Sequence, residues 1–454
     1  MSQLNPAQFG WLSIMRLGLV QACLGAMVVL TTSTLNRVMV VELSLAAIIP
    51  GFLVGIHYAV QLSRPLFGHG SDVGQAKRSN WILGGILLLA VSGTLAASTT
   101  LIIATHFWAG FALACVTYVL IGMGIGAAGT SLLALLASST PAVKRPAAAT
   151  IVWIMMIAGI VVTAATTGKL LDPYSHQRLI VITAITGVIA ICLTALALFR
   201  LEKPGTAMRS AEAAVESNVS FSARLSQTWA DDEARLFTIF IFLSMLAYST
   251  QDLILEPFAG LLFGFTPGQT TSLSGIQHGG ILIGMILVGL IGTLPFGRNP
   301  KLLKGFTIVG CLGSSAALAG IAASASAIAF WPLKANVMAL GFFNGMFSIA
   351  AIGAMMTLAG GAQQASGDPT QTKNSEGIRM GVWGAAQAIA FGLGGFAGTA
   401  GVSAAQAFTG NVPFSYALVF GIEALLFVLS AIIAIRIGSP KPQFKHSNTL
   451  QPAE

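Results

Sequence analysis

Two histidines lie deep in apolar stretches: His57 in GFLVGIHYAV (51–60) and His278 in LSGIQHGGIL (273–282). In each stretch Gly-Ile precedes a polar pair, His57-Tyr58 in one and Gln277-His278 in the other. A neutral imidazole can ligate a metal through one nitrogen while a hydrogen bond holds the other. In lipid, one prominent use of that chemistry is an axial bond to the metal of a tetrapyrrole. The plainer alternative is a hydrogen bond between helices. A second group is acidic: AYSTQDLILEPFAG (247–260) carries Gln251, Asp252 and Glu256, followed by Pro257. Four residues apart on a helix, the two carboxylates share a face. A third group, Asn36, Arg37 and Glu42, sits in TLNRVMVVEL (34–43). Arg37 opposite Asp252 or Glu256 would make a sensible pair, either functional or holding two parts of the molecule together. Lone polar residues in apolar runs include Arg16, Gln21 and Glu423.

Ionisable groups in such runs are costly in hydrocarbon and serve as functional candidates by default. The elements that position them are membrane helices. The chain has 454 residues, 55% hydrophobic and 8% charged, with a mean hydropathy of +0.81. Soluble proteins carry about 25% charged residues, so this chain cannot cover a water-facing surface. Its 51 glycines suit close helix packing, as in GMGIGAAG (122–129) and GLGGFAG (392–398). Its four cysteines lie in apolar runs without CxxC spacing and read as buried thiols. The first residues, MSQLNPAQFGW, lack the basic region of a signal peptide.

Apolar segments long enough to span a bilayer number twelve between residues 12 and 437, with the longest polar break at 201–235. The expected architecture is all-α: twelve transmembrane helices in the major facilitator fold, two six-helix halves related by an axis along the membrane normal. Residues 1–200 form the first half and 236–437 the second. The linker, 201–235, carries an amphipathic helix with Phe221, Leu225 and Trp229 on one stripe. Residues 438–454 read as a disordered tail. With both termini in the cytoplasm, eighteen of the 23 Lys and Arg fall inside and four outside, as the positive-inside rule requires. The net charge of +8 then reflects basic cytoplasmic loops. The loop GHGSDVGQAKR (68–78) resembles the superfamily's Gly-x-x-x-Asp…basic motif through Gly68, Asp72, Lys77 and Arg78. It departs in the place of Gly74 and in its late basic residues.

Four blocks carry a closer resemblance: LVQACLGAMVVLTTSTLNRVMVVEL (19–43), QLSRPLFGHGSDV (61–73), FLSMLAYSTQDLILEPFAGLLFG (242–264) and EGIRMGVWGAAQAIAFGLGG (376–395). Together they resemble the PucC/LhaA group, the bacteriochlorophyll-delivery branch of the major facilitator superfamily. The resemblance implies an assembly factor for photosynthetic light-harvesting antenna complexes in the bacterial inner (intracytoplasmic) membrane. It implies bacteriochlorophyll as cofactor, antenna polypeptides as partners, and association with bacteriochlorophyll synthase and the membrane insertion machinery. Under that reading His57 or His278 offers the axial ligand to a chlorin magnesium, and Tyr58 or Gln277 can hydrogen-bond pigment carbonyls. The competing classes are a proton-coupled transporter of a small solute, using Asp252, Glu256 and Glu423 as proton carriers, and a pigment-free scaffold for antenna polypeptides. No Walker A, HExxH or GxSxG motif is present, and the expectation is that the chain is not an enzyme.

Overall fold

The structure is a computed structural model. It describes residues 9–61, 63, 77–141, 144–201, 229, 231–293, 300–326, 330–365 and 369–437. The described residues form twelve helices and no strands. These are α1 (Trp11–Glu42), α2 (Ile48–Gln61), α3 (Arg78–Thr105), α4 (Phe107–Ser139), α5 (Arg145–Leu170) and α6 (His176–Leu198). They continue with α7 (Asp232–Phe263), α8 (Pro267–Thr293), α9 (Pro300–Ser324), α10 (Leu333–Ala365), α11 (Pro369–Thr409) and α12 (Val412–Arg436). Ten have the length and hydropathy to cross a membrane, and α2 is a shorter apolar helix.

Helix ends follow local chemistry. Ser175 Oγ accepts from Arg178 N at the start of α6, Asp231 Oδ1 from Glu233 N and Ala234 N at α7, and Asn411 Oδ1 from Phe414 N at α12. Gly264, at φ 67°, ends α7 in the left-handed region that an L side chain rarely adopts. Arg16 proves structural: Nε donates to Ala197 O at 2.8 Å and a terminal nitrogen donates to Phe199 O. It thus caps the exposed carbonyls of α6. Lys304 does the same for α12, donating to Ile435 O at 2.6 Å and Ile437 O at 2.7 Å.

Helices α7 to α12 enclose one large apolar core, in which Phe240, Phe258, Phe347, Phe420 and Phe427 are closed off from solvent. The α1–α6 side holds two cores, one around Met27, Tyr118 and Ile121 and one around Leu17, Leu132 and Leu135. A smaller cluster joins the two sides through Val29, Leu30, Ile157, Ile160, Ile281 and Met285. The sides meet along three seams: α1 with α7 and α8, α5 with α8, and α2 with α11.

Of the loop motif, Gly68 and Asp72 lie outside the described residues, as do most of the linker and the tail 438–454. Lys77 is exposed where α3 begins. Arg78 is buried and donates to Ala134 O of α4 at 3.2 Å.

Candidate functional site

The polar residues singled out in α1 and α7 meet at one seam. α1 is not a plain α-helix: Val29–Thr34 and Val38–Glu42 are π-helical. Such widened turns cluster at functional positions. Within the first π turn Thr31 O accepts from the buried Tyr118 hydroxyl at 2.8 Å. The second has i→i+5 periodicity, so Arg37 and Glu42 share a face. They form an ion pair within α1, with Arg37 2% and Glu42 31% exposed. Arg37 also donates through Nη2 to Phe265 O, beyond the end of α7, at 2.8 Å.

This corrects the expectation that Arg37 forms its close ion pair with Asp252 or Glu256, although Glu256 lies within electrostatic reach of Arg37. Its guanidinium does lie beside α7, against Gly260, where an added Cβ would stand 3.2 Å from Nη2. Glu256 is one turn deeper on that helix. The correction has a physical cause: the π turn brings Glu42 round to Arg37, which ordinary helical geometry would not. Near this pair, burial holds the Tyr174 hydroxyl above the usual tyrosine range, and the charge of Glu42 adds to the effect.

Asn36 explains why α7 tolerates a proline. Pro257 has no N–H and leaves the carbonyl four residues back, Leu253 O, without its helical donor. Asn36 Nδ2 reaches across from α1 and donates to Leu253 O at 2.5 Å. Deeper in the seam, Thr34 and Thr271 hydroxyls lie 3.3 Å apart. Glu256 is 2% exposed. The Thr270 and Ser274 hydroxyls of α8 approach its carboxyl group, but neither of its oxygens closes a hydrogen bond. Both ends of the Gln251 side chain, one Asp252 oxygen, the Gln277 amide nitrogen and both Glu423 oxygens are likewise buried without partners among the described residues. Glu423, on α12, lies within electrostatic reach of Asp252. Buried polar groups left this way are exceptional and mark a site needing explanation.

The structure does not gather the two histidines into one cluster. α2, with His57, packs on α4 and α11; α8, with His278, packs on α5 and α10. Their surroundings also differ. His57 is buried, and its Nε2 lies 2.9 Å from the Gln61 amide nitrogen one turn on. His278 is half-buried, and its Nδ1 lies 2.9 Å from Ser274 O. Since a carbonyl only accepts, Nδ1 carries the proton and Nε2 keeps a lone pair. The Tyr58 ring lies edge-on to His57 at 4.8 Å between centroids.

Sequence reasoning missed Asp172, in the short connection between α5 and α6. Its carboxylate accepts from Thr266 Oγ1 at 2.7 Å and from Gly268 N at 3.3 Å, fastening the first side to the start of α8. The available signal was an acid before proline in the short connection LDPYS (171–175). Ile48 N donates to Ser403 Oγ at 3.0 Å and ties α2 to α11 at the same end of the bundle. No group of three or more His, Cys, Asp or Glu that could hold a metal ion occurs among the described residues.

A family model described as PUCC protein matches residues 34–441. A Rhodobacter capsulatus protein named "Bacteriochlorophyll synthase 44.5 kDa chain" is 48% identical, the match covering 94% of this chain and 95% of that one. "Protein PucC" of Cereibacter sphaeroides is 28% identical over 93% of this chain and 91% of that one. Among solved structures, the D-xylose-proton symporter superposes with a TM-score of 0.68 at 14% identity, covering 93% of this chain and 97% of that one. The nucleoside transporter NupG gives 0.65 at 14%, covering 94% and 99%. At that identity the two transporters show the fold alone, and it is the expected major facilitator fold. The expectation that the chain is not an enzyme is overturned here. The relative at 48% identity is named as a chain of bacteriochlorophyll synthase, which points toward an enzymatic role.

Proposed function

The chain belongs to the PUCC family, and from that premise we propose that it binds bacteriochlorophyll within the membrane. It works with bacteriochlorophyll synthase and passes pigment to light-harvesting antenna polypeptides. The names of its relatives support both ends of that path: one a bacteriochlorophyll synthase chain, others PucC. The membrane is the bacterial inner, intracytoplasmic membrane, with both termini cytoplasmic, a placement supported by the Lys and Arg distribution between loops.

The observation that carries the reading is the tautomer of His278. A chlorin supplies a magnesium that takes an axial ligand from a neutral nitrogen or oxygen donor. His278 fits: its Nδ1 proton is held by Ser274 O, and its Nε2 lone pair is left available. The adjacent Gln277 amide nitrogen is buried and without a partner, a donor suited to a pigment carbonyl. His57 is the weaker of the two histidines, because Gln61 already stands at its Nε2.

Gently purified protein should carry bacteriochlorophyll absorption. His278→Leu should lower bound pigment severalfold while the protein still accumulates, and His57→Leu should lower it less. Wild-type pigment content in both variants would rule out histidine ligation. A pigment-free wild-type protein that still supports antenna assembly would favour the scaffold reading.

A further inference from the structure

Three aromatic rings meet where the two sides of the bundle adjoin, and the site described above uses only one of them. Tyr58 comes from α2, Tyr248 from α7 and Phe391 from α11. The Phe391 ring lies 6.2 Å from Tyr58 at an interplanar angle of 35°, and 5.7 Å from Tyr248 at 65°. Each of the three is only partly buried, unlike Phe240, Phe258 and Phe420 in the same bundle, which are closed over completely. Asp252 lies one turn along α7 from Tyr248. It too is partly open, and its Oδ1 has no hydrogen-bond partner. Close packing would have covered the rings and excluded the acid. Tyr248 also packs against the cluster containing Ile281, three residues along α8 from His278.

We propose that Tyr58, Tyr248 and Phe391 form a stacking face for the conjugated ring of the pigment, with Asp252 as a polar group at its edge. This inference rests on the pigment reading above and adds a claim about selectivity. The face recognises the ring system and not its metal, so a metal-free ring binds there too. His278 supplies only the preference for the magnesium form. Aromatic faces suit this role because a flat π-system offers contact area on both sides and favours offset or tilted neighbours.

The test uses the full chain, purified in mild detergent and titrated separately with bacteriochlorophyll a and with metal-free bacteriopheophytin a. Binding is followed by absorption and visible circular dichroism. The wild type should bind both rings. Phe391→Leu and Tyr248→Leu should weaken both by about three- to tenfold, the range expected from loss of one aromatic contact. Phe391→Tyr should restore binding. His278→Leu should weaken only the magnesium form. Wild-type protein that binds bacteriochlorophyll but rejects the metal-free ring overturns the inference and leaves the pigment reading standing. Leucine variants with undiminished affinity for the metal-free ring also overturn it. Wild-type protein that binds neither ring defeats the pigment reading, and this inference with it. Should a leucine variant fail to accumulate, the wild-type comparison of the two rings decides.

Discussion

The seam between α1 and α7 and the seam between α5 and α8 join the same two sides of the molecule by opposite means. At α1–α7 the contact is made by side chains reaching for backbone carbonyls, Asn36 to Leu253 O and Arg37 to Phe265 O. At α5–α8 apolar side chains fill the middle of the seam, Ile157 and Ile160 against Ile281 and Met285, and backbone meets backbone at one end. Gly168 and Gly268 bring the backbones so close that a Cβ on Gly168 would stand 2.7 Å from Gly268 O. Small residues are how helices associate in lipid, where no hydrophobic force drives them together. The fold can keep unsatisfied polar groups at one seam because the other is closed by apolar packing and close backbone contact. The glycine contact sets the separation of the halves, and the polar seam can then hold unsatisfied groups such as Glu256 and Gln251 at fixed places.

Substitutions at either seam should separate the two kinds of contact. The largest effect is expected from Gly168→Val, where a branched side chain meets backbone that cannot swing aside. It should cost about 3 kcal/mol or more, read as lost accumulation in the membrane and a lower Tm in detergent. Arg37→Gln should follow at about 2–3 kcal/mol. It strips the partner from Glu42 and the donor from Phe265 O, but Glu42 is partly exposed, which lowers the cost below that of a fully buried pair. Asn36→Ala should cost about 1–2 kcal/mol by leaving Leu253 O bare. In Pro257→Ala, where α7 regains its own N–H, the same change should cost much less. Equal losses in both backgrounds, measured as a double-mutant cycle of Tm, would show that Asn36 does not act through the proline gap. The smallest effect is expected at Asp172→Asn, about 1 kcal/mol, because Thr266 and Gly268 N use different carboxylate oxygens: the amide oxygen keeps the bond from Gly268 N while its NH2 can donate to the Thr266 hydroxyl in place of accepting from it.

The helices were legible in the sequence because hydrocarbon imposes a length on every span, and α3, α6 and α12 announce themselves by unbroken apolar runs. Asp252 and Glu256 were legible as a polar face of α7 for the same reason, since charge is rare there. The partner of Arg37 was not. Its pairing depends on a π turn at Val38–Glu42, and nothing in VMVVE signals one. The repair of Leu253 O by Asn36 was hidden as well, although Pro257 showed that some donor was required. The repeat between His57 and His278 gave their matching places in the two halves but not their different neighbours. Gln61 follows His57 by four residues, whereas His278 turns back to Ser274.

Synthesis runs from α1 to α12, and this gives the Asn36–Leu253 bond a direction in time. Asn36 belongs to the first helix made, and the carbonyl it serves emerges with the seventh. When α7 enters the bilayer with its proline, a donor from the finished half is already at membrane depth. A second half inserted alone would present a bare carbonyl to hydrocarbon, at a cost of several kcal/mol. The hydrogen bonding of α7 around Pro257 is therefore completed by docking onto its predecessor, and a chain rearranged to make α7–α12 first would have to wait with that defect open to lipid.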